Sequence, residues 1–509
     1  MILNRFKWGY VVILVFLGIA TRTLLLNINS AEWGDSYRIL RASNYVRNLT
    51  YPSDEKRPPL FSILLAIRPN TVDAVLWGRI FMLGMSLVSV YVFYRLSKKY
   101  LTTQRQRVLA VALLALNPVY LYWSLRIYAD VPFSLLVMLC FYVFEVWREK
   151  LINANRASIV YPAAMGLLCG LGILTRFEGY LLTVATFTGI LIVARNPLKR
   201  TLQTAGTFLL TLTVVVLPWL LYRNPLTSSY LEEPTGRKYG LEMLMTYLIS
   251  FIFVLGIIPA SALVVTHFFK KPSVHLIGML KSYPHIVIFV ALESLLILAW
   301  PAAIPRLFVP IIPFLIIAFV STWQDKDKYV VTGGASIILT FGYLVAQNHL
   351  RLQFLGAHTL VFLLVGLMSF ISALAILIKQ RKLFLLSAIV SMALLAASTI
   401  YLHKNIYSSI KEISVFSLRE ARGKIIHNDT ASIVNWYFPE SEYKNLDTKK
   451  YLTQAYLLEN QISYIILTNE FDPNLEIDLK KRPYLELVKE SKHTTGGKMF
   501  FTWLIKVKL

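Results

Sequence analysis

Cysteine is almost missing from this sequence: there are two in 509 residues, Cys140 and Cys169, both inside apolar runs. That argues against a disulfide framework or a thiolate metal site, and the pair reads as small buried residues. Acidic residues are scarce too, 28 against 52 lysines and arginines. The formal charge of +24 nevertheless does not mark a nucleic-acid binder, because the basic residues fall in short clusters between apolar runs and form no continuous polar face. The eight histidines are scattered, and one such as His275 in a basic loop reads as polar surface. No internal repeat, low-complexity tract or inverted pair of Gly/Pro-broken runs of the kind common in transporters is visible.

What is abundant is apolar sequence. Hydrophobic residues make up 56% of the chain and the mean hydropathy is +0.57, far outside the range of a soluble domain, so the chain is an integral membrane protein. Residues 9 to 26 form the first run long enough to span; Arg5 and Lys7 precede it, but no small-x-small cleavage site follows, and it reads as a retained anchor. Further spans are expected near 75–94, 108–125, 131–147, 159–174, 178–194, 203–222, 241–266, 284–300, 307–322, 329–346, 359–378 and 383–402, giving about 13 in all. With that count the Lys/Arg clusters from Arg95, Trp147, Ala194, Phe268, Asp325 and Lys379 all fall on the side of the N-terminus, the cytoplasmic side by the positive-inside rule. The first loop, 28–74, and the turns around Asp130, Arg176 and Arg306 then lie on the opposite face. From about residue 403 charges return. The segments from Ser463 and Met499 read as strands and "TKKYLTQAYLLENQ" from Thr448 as a helix, so 403–509 is expected to be a small extracytoplasmic α/β domain beside a membrane domain at 1–402.

Charged groups at span ends are costly and therefore informative. On the outer face they are Glu32, Asp35, Arg57, Asp130, Arg176, Glu178 and Arg306. Asp35 comes first, a few residues beyond the first run, between Trp33 and Tyr37; behind it Ile39, Ala42, Val46 and Leu49 recur at helical spacing and suggest an amphipathic helix. The plainer reading makes Asp35 that helix's N-cap, and a cap reading competes equally for Asp130. "RPPLFSILLA" from Arg57 suggests an extended turn before a surface or re-entrant helix. Arg176 and Glu178 in "LTRFEG" can simply close a turn as an ion pair, and Arg306 heading a proline-rich span can simply snorkel.

The order, spacing and sidedness of these segments resemble the GT-C glycosyltransferases, in particular the branch with the protein O-mannosyltransferases and the lipid A aminoarabinose transferase. The acidic motif after the first span is matched by "GDSY" at 34–37, the "PPL" segment by "RPPL" at 57–60, and the "NP…D" hairpin by Asn117, Pro118 and Asp130. The "LTRxEG" turn is matched by Leu174 to Gly179, and the proline-rich arginine segment by "PRLFVPIIPFL" from Pro305. Ser36 stands where the family often has a second acid, with Glu32 as the other nearby carboxylate, and "WWDxG" of the oligosaccharyltransferases is absent, which points to transfer of a single sugar.

The resemblance implies an inverting transfer from a polyprenyl- or dolichyl-phosphate sugar to an acceptor hydroxyl of a protein, lipid or glycan at the extracytoplasmic face. Asp35 is the first choice of base, with Asp130 to orient sugar or acceptor or share the role. Arg306 and Arg176 are the candidates to receive the phosphate charge, and Glu32, Tyr37, Arg57 and Glu178 complete the expected substrate contacts. If a metal takes part, Asp35 and Asp130 would hold it, and carboxylates without His or Cys favour a hard ion such as Mg²⁺ or Mn²⁺. The rival reading is a multi-span transporter or flippase of a lipid-linked saccharide. Against it stands the gathering of charges at one face, with Glu293 nearly alone at mid-depth.

Overall fold

The computed structural model describes residues 18–154, 158–194, 197–223, 282–300, 305–322, 381–429, 432–438, 443–445, 452–471, 475, 479–495 and 498–508, with scattered positions in 240–261 and 335–375. The chain divides into two compact units, one of Met1–Thr23, Ser53–Leu352 and Thr359–Ser398, the other of Leu24–Pro52, Gln353–His358 and Thr399–Leu509. The first loop as far as Pro52 thus belongs with the C-terminal residues, so the unit boundaries differ from a simple cut at residue 402.

The first unit is helical. Among the described residues four helices are long and apolar enough to cross a membrane, or five if a bent pair is one span, and four shorter apolar helices accompany them. Ala74–Ser97, Asp130–Ala154, Val160–Ile173, Gly179–Val193, Leu198–Tyr222, Pro284–Ala299 and Arg381–His403 lie where the apolar runs predict them. The spans expected at 241–266, 329–346 and 359–378, and most of the first, lie largely outside the described residues.

Two expected spans are not continuous. The run at 108–125 is two helices, Gln104–Ala115 and Pro118–Ser124, bent by 58°. The break is built by Asn117, whose side-chain oxygen accepts from Val119 N at 3.1 Å and Tyr120 N at 2.9 Å while its amide donates to Val254 O at 2.6 Å. Pro118 occupies the first helical position, where a missing N–H costs nothing. The run at 307–322 starts as a 3₁₀ turn, Pro305–Phe308, and becomes helix only at Ile312–Thr322, with Pro310 and Pro313 marking the join. After the Pro58–Pro59 pair comes a seven-residue helix, Leu60–Ala66, with Phe61 and Leu65 buried.

The second unit carries a five-stranded sheet ordered β2-β1-β3-β5-β4, with β1 Lys424–His427, β2 Tyr443–Asn445, β3 Ile462–Thr468, β4 Leu485–Thr495 and β5 Lys498–Val507. β1 pairs in parallel with β2 and β3, and β5 runs antiparallel to β3 and β4. Its core is Ile426, Leu457, Ile462, Ile465, Leu467 and Ile505, and the helix Ser408–Glu420 packs on β4 and β5 through buried Ile410 and Ile413. Helix in the segment from Thr448 is confined to Gln454–Glu459 among the described residues. The same unit includes the helix Gly34–Arg47, which buries Tyr37, Ile39, Leu40 and Ala42. Leu49, expected on that face, lies past the helix end and is 95% exposed.

Candidate active site

In the helical unit, segments distant in sequence bring four ionisable side chains together. Asp130 opens the helix Asp130–Ala154 and is fully buried. Arg176, in the turn between Val160–Ile173 and Gly179–Val193, donates from Nη1 to Asp130 Oδ1 and from Nη2 to Glu178 Oε1, and its Nε donates to the same Glu178 oxygen at 3.0 Å. Burial alone would loosen the Arg176 proton, but Asp130 and Glu178 hold it and push the guanidinium above its ordinary pKa. Glu293, buried on Pro284–Ala299, lies within electrostatic reach of Arg176, Glu178 and Asp130. The turn ion pair expected of "LTRFEG" therefore exists, and it also captures Asp130, 46 residues away in sequence.

The turn is fixed by close packing. A Cβ on Gly179 would lie against the backbone of Gly172 and Ile173, nearer than real Cβ atoms approach, so only glycine lets the two helices start so close. The Leu174 carbonyl of this turn accepts from Leu60 N at 2.8 Å, which joins "RPPL" to "LTRFEG" through the backbone. Arg57 itself turns back to buried Glu55, donating to Oε1 from its backbone N at 3.0 Å and from Nη1 at 2.8 Å.

Arg306, in the 3₁₀ turn, sets its guanidinium 4.8 Å from the centre of the Tyr128 ring and 5.7 Å from that of Trp123, rings which meet edge to face at 4.8 Å. Arg306 also contributes to the electrostatic field at Glu178. Buried Arg126 lies over Tyr122 at 5.3 Å. Sequence reasoning missed Glu293, Arg126 and the Trp123–Tyr128 pair as site residues. Glu293 did carry a signal, a lone carboxylate in an apolar run, whereas nothing in the spacing marks which aromatic residues cradle Arg306.

Glu32, Asp35 and Tyr37 belong to the second unit. The helix there begins at Gly34 with Trp33 in the N-cap position, so Asp35 sits in the first turn and is not the cap. Glu32 and Tyr37 are buried, and Tyr37 packs against Trp436 and Tyr437 with ring centres at 6.0 and 6.1 Å. Burial, then Tyr437 and Glu32, push the Tyr37 phenol well up, so it remains protonated and able to donate. Arg38 Nε donates to Ser432 Oγ at 3.0 Å.

Among the described residues no group of three or more His, Cys, Asp or Glu side chains is arranged to hold a metal ion. A cation at Asp130 would share it with the Arg176 guanidinium, so that surrounding does not fit one.

Residues 56–222 match the family described as dolichyl-phosphate-mannose-protein mannosyltransferase. In three dimensions the chain is similar to ArnT from Cupriavidus metallidurans bound to undecaprenyl phosphate, with a TM-score of 0.62 at 14% identity over 97% of this chain and 98% of that one. The chain shares the fold of that protein. It is also similar to the oligosaccharyltransferase AglB from Archaeoglobus fulgidus in complex with an inhibitory peptide and a dolichol-phosphate, TM-score 0.54 at 12% identity over 92% of this chain and 70% of that one. A third likeness is to the arabinofuranosyltransferase AftD from Mycobacteria, TM-score 0.52 at 12% identity, covering 97% of this chain and 40% of that one. No curated protein matches the chain in sequence. The family match covers "RPPL", Asn117–Pro118, Asp130 and "LTRFEG". Over residues 56–222 the chain thus resembles the dolichyl-phosphate-mannose-protein mannosyltransferases, and its fold is like that of ArnT.

Proposed function

We propose that this GT-C glycosyltransferase moves a single sugar from a polyprenyl- or dolichyl-phosphate donor to an acceptor hydroxyl at the extracytoplasmic membrane face, inverting the anomeric centre. The observation that carries the reading is the largely buried assembly of Asp130, Arg176, Glu178 and Glu293 with Arg306 on its aromatic bed. Charges so costly to bury in an apolar bundle are kept for chemistry on a charged substrate. The absence of "WWDxG" supports a single sugar. The Lys/Arg clusters at 95–107, 147–150, 194–200 and 268–271 support the outer face for the turns between them.

A sugar on a lipid phosphate already has a good leaving group, so the reaction needs a base for the acceptor more than an acid. Asp35 takes the acceptor's hydroxyl proton as its oxygen attacks the anomeric carbon; the bond from that carbon to the phosphate oxygen breaks, and the electron pair leaves with the lipid phosphate. One displacement through an oxocarbenium-like state inverts the centre. Negative charge grows on the phosphate, and a guanidinium fork matches it. Arg306, set against the Tyr128 and Trp123 rings, and Arg176, at the head of the Asp130 cluster, are the candidates to receive that charge. Asp130, fixed by Arg176, orients the donor side of the site.

Asp35→Asn, purified at normal yield in detergent, is expected to lose transfer from a labelled polyprenyl-phosphate sugar by at least a hundredfold. Turnover near wild type would remove Asp35 from the reaction.

A further inference from the structure

The segment before Asp35 is gripped by a strained turn, and a buried histidine–glutamate pair holds that turn in place. Tyr407 adopts the left-handed conformation at φ +59°, unfavourable for a residue with a bulky side chain. Such backbone persists only where its surroundings over-determine it, and it gathers at functional places. Here the surroundings are explicit. Tyr407 N donates to Glu470 Oε1 at 3.1 Å, and the same oxygen meets His493 Nε2 at 2.9 Å. His493 Nδ1 lies 2.9 Å from Ser409 Oγ, which bonds Thr502 Oγ1 at 2.8 Å. Ser409, Glu470, His493 and Thr502 are all buried, so the set is no hydrolytic triad open to substrate: its serine is 1% exposed.

The turn passes this rigidity to the Asp35 segment. Ser30 N donates to Lys404 O at 2.8 Å, Ser30 Oγ donates to Asn405 Oδ1 at 3.0 Å, and Lys411 Nζ donates to Ser30 O at 2.8 Å. The Tyr407 ring stacks on Phe471 at 5.4 Å and meets Trp33 edge to face at 5.5 Å, and Trp33 is the N-cap residue of the helix that presents Asp35 in its first turn. We propose that Glu470, oriented by His493, is a positioning residue for Asp35: it locks the turn at Tyr407, whose ring and flanking backbone set the start of the Asp35 helix. The proposal rests on the reading of Asp35 as the base. A general base displaced by about an ångström loses much of its effect while donor binding is untouched.

The test uses the full chain in detergent, with hydrogen exchange read by mass spectrometry and turnover measured with undecaprenyl-phosphate mannose as the probe. Glu470→Ala is expected to speed exchange in peptides covering 28–40 and 404–408 about tenfold and to lower kcat about tenfold with the donor KM unchanged. Glu470→Gln keeps an acceptor oxygen for Tyr407 N and should restore both, and Glu486→Ala on the exposed edge strand should change neither. Trp33→Ala cuts the same link without touching the sheet and should reproduce the effect. Unchanged exchange at 28–40 in Glu470→Ala, or in Trp33→Ala should Glu470→Ala loosen all five strands, would overturn the clamp. Absence of wild-type turnover with the probe counts against the functional reading, whereas the exchange arm judges the clamp by itself.

Discussion

Removing Arg176 would leave buried Asp130 and partly buried Glu178 around an empty cation position, with Glu293 within electrostatic reach, and the cost of stranded charge exceeds the value of the ion pair itself. Asp130 has little to fall back on, since its Oδ2 is buried with no hydrogen-bond partner among the described residues. Arg176→Met is therefore expected to destabilise the protein by about 3–5 kcal/mol, read as a fall in the unfolding midpoint in detergent. Adding Asp130→Asn removes one stranded charge, so the double variant should recover part of that loss. A double variant less stable than Arg176→Met would mean that the two side chains do not act as a pair. The two arginines differ in surroundings: Arg306 rests against the Tyr128 and Trp123 rings, while Arg176 donates to two carboxylates.

Elements explain why motif residues must be where they are. The glycine of "LTRFEG" is a packing requirement: at Gly179 the helix Gly179–Val193 starts against the last turn of Val160–Ile173, and any Cβ would collide with backbone that cannot yield. Gly179→Ala should pry the two helices apart, shift Arg176 relative to Asp130 and reduce transfer at least tenfold, while Gly206→Ala, with nothing within 4 Å of the added methyl, should leave transfer unchanged. Equal activity in both variants would detach the turn's geometry from function.

This scale also shows what was legible in the sequence. Apolar length alone located most of the described helices, because a bilayer demands a fixed rise. It failed at 108–125 and 307–322, where hydropathy is continuous but the backbone is not; the Asn117–Pro118 cap and Pro310 with Pro313 were the signals that hydropathy averages away. The local pair Arg176–Glu178 could be read from spacing. Its capture of Asp130, the approach of Glu293 and the Tyr128–Trp123 bed under Arg306 are tertiary, and no periodicity encodes them. The helical repeat from Ile39 makes Asp35 a possible cap in the sequence; Trp33 takes that place instead.

At the scale of the whole molecule, the two units are stabilised by different physics and should answer acid differently. The helical unit rests on helix packing and buried ion pairs, and the second unit on a sheet with an apolar core. In that sheet His427 on β1 is fully buried, and burial, opposed only in part by Asn435, lowers its pKa from 6.5 to about 4. The folded form therefore carries a neutral imidazole where the unfolded chain would be protonated below its ordinary pKa. The contribution to stability is fully present above about pH 6.5 and is lost as pH falls towards about 4. Its size is about 3 kcal/mol by the usual conversion of a pKa difference. Hydrogen exchange of the β1, β3 and β5 amides, corrected for intrinsic rates, should accelerate between pH 6.5 and 4.5 in the wild type. In His427→Gln, which cannot take up the proton, that acceleration should be largely absent, whatever the variant's stability at pH 7. An equally steep pH dependence in the variant would mean that other groups of the second unit control its response to acid.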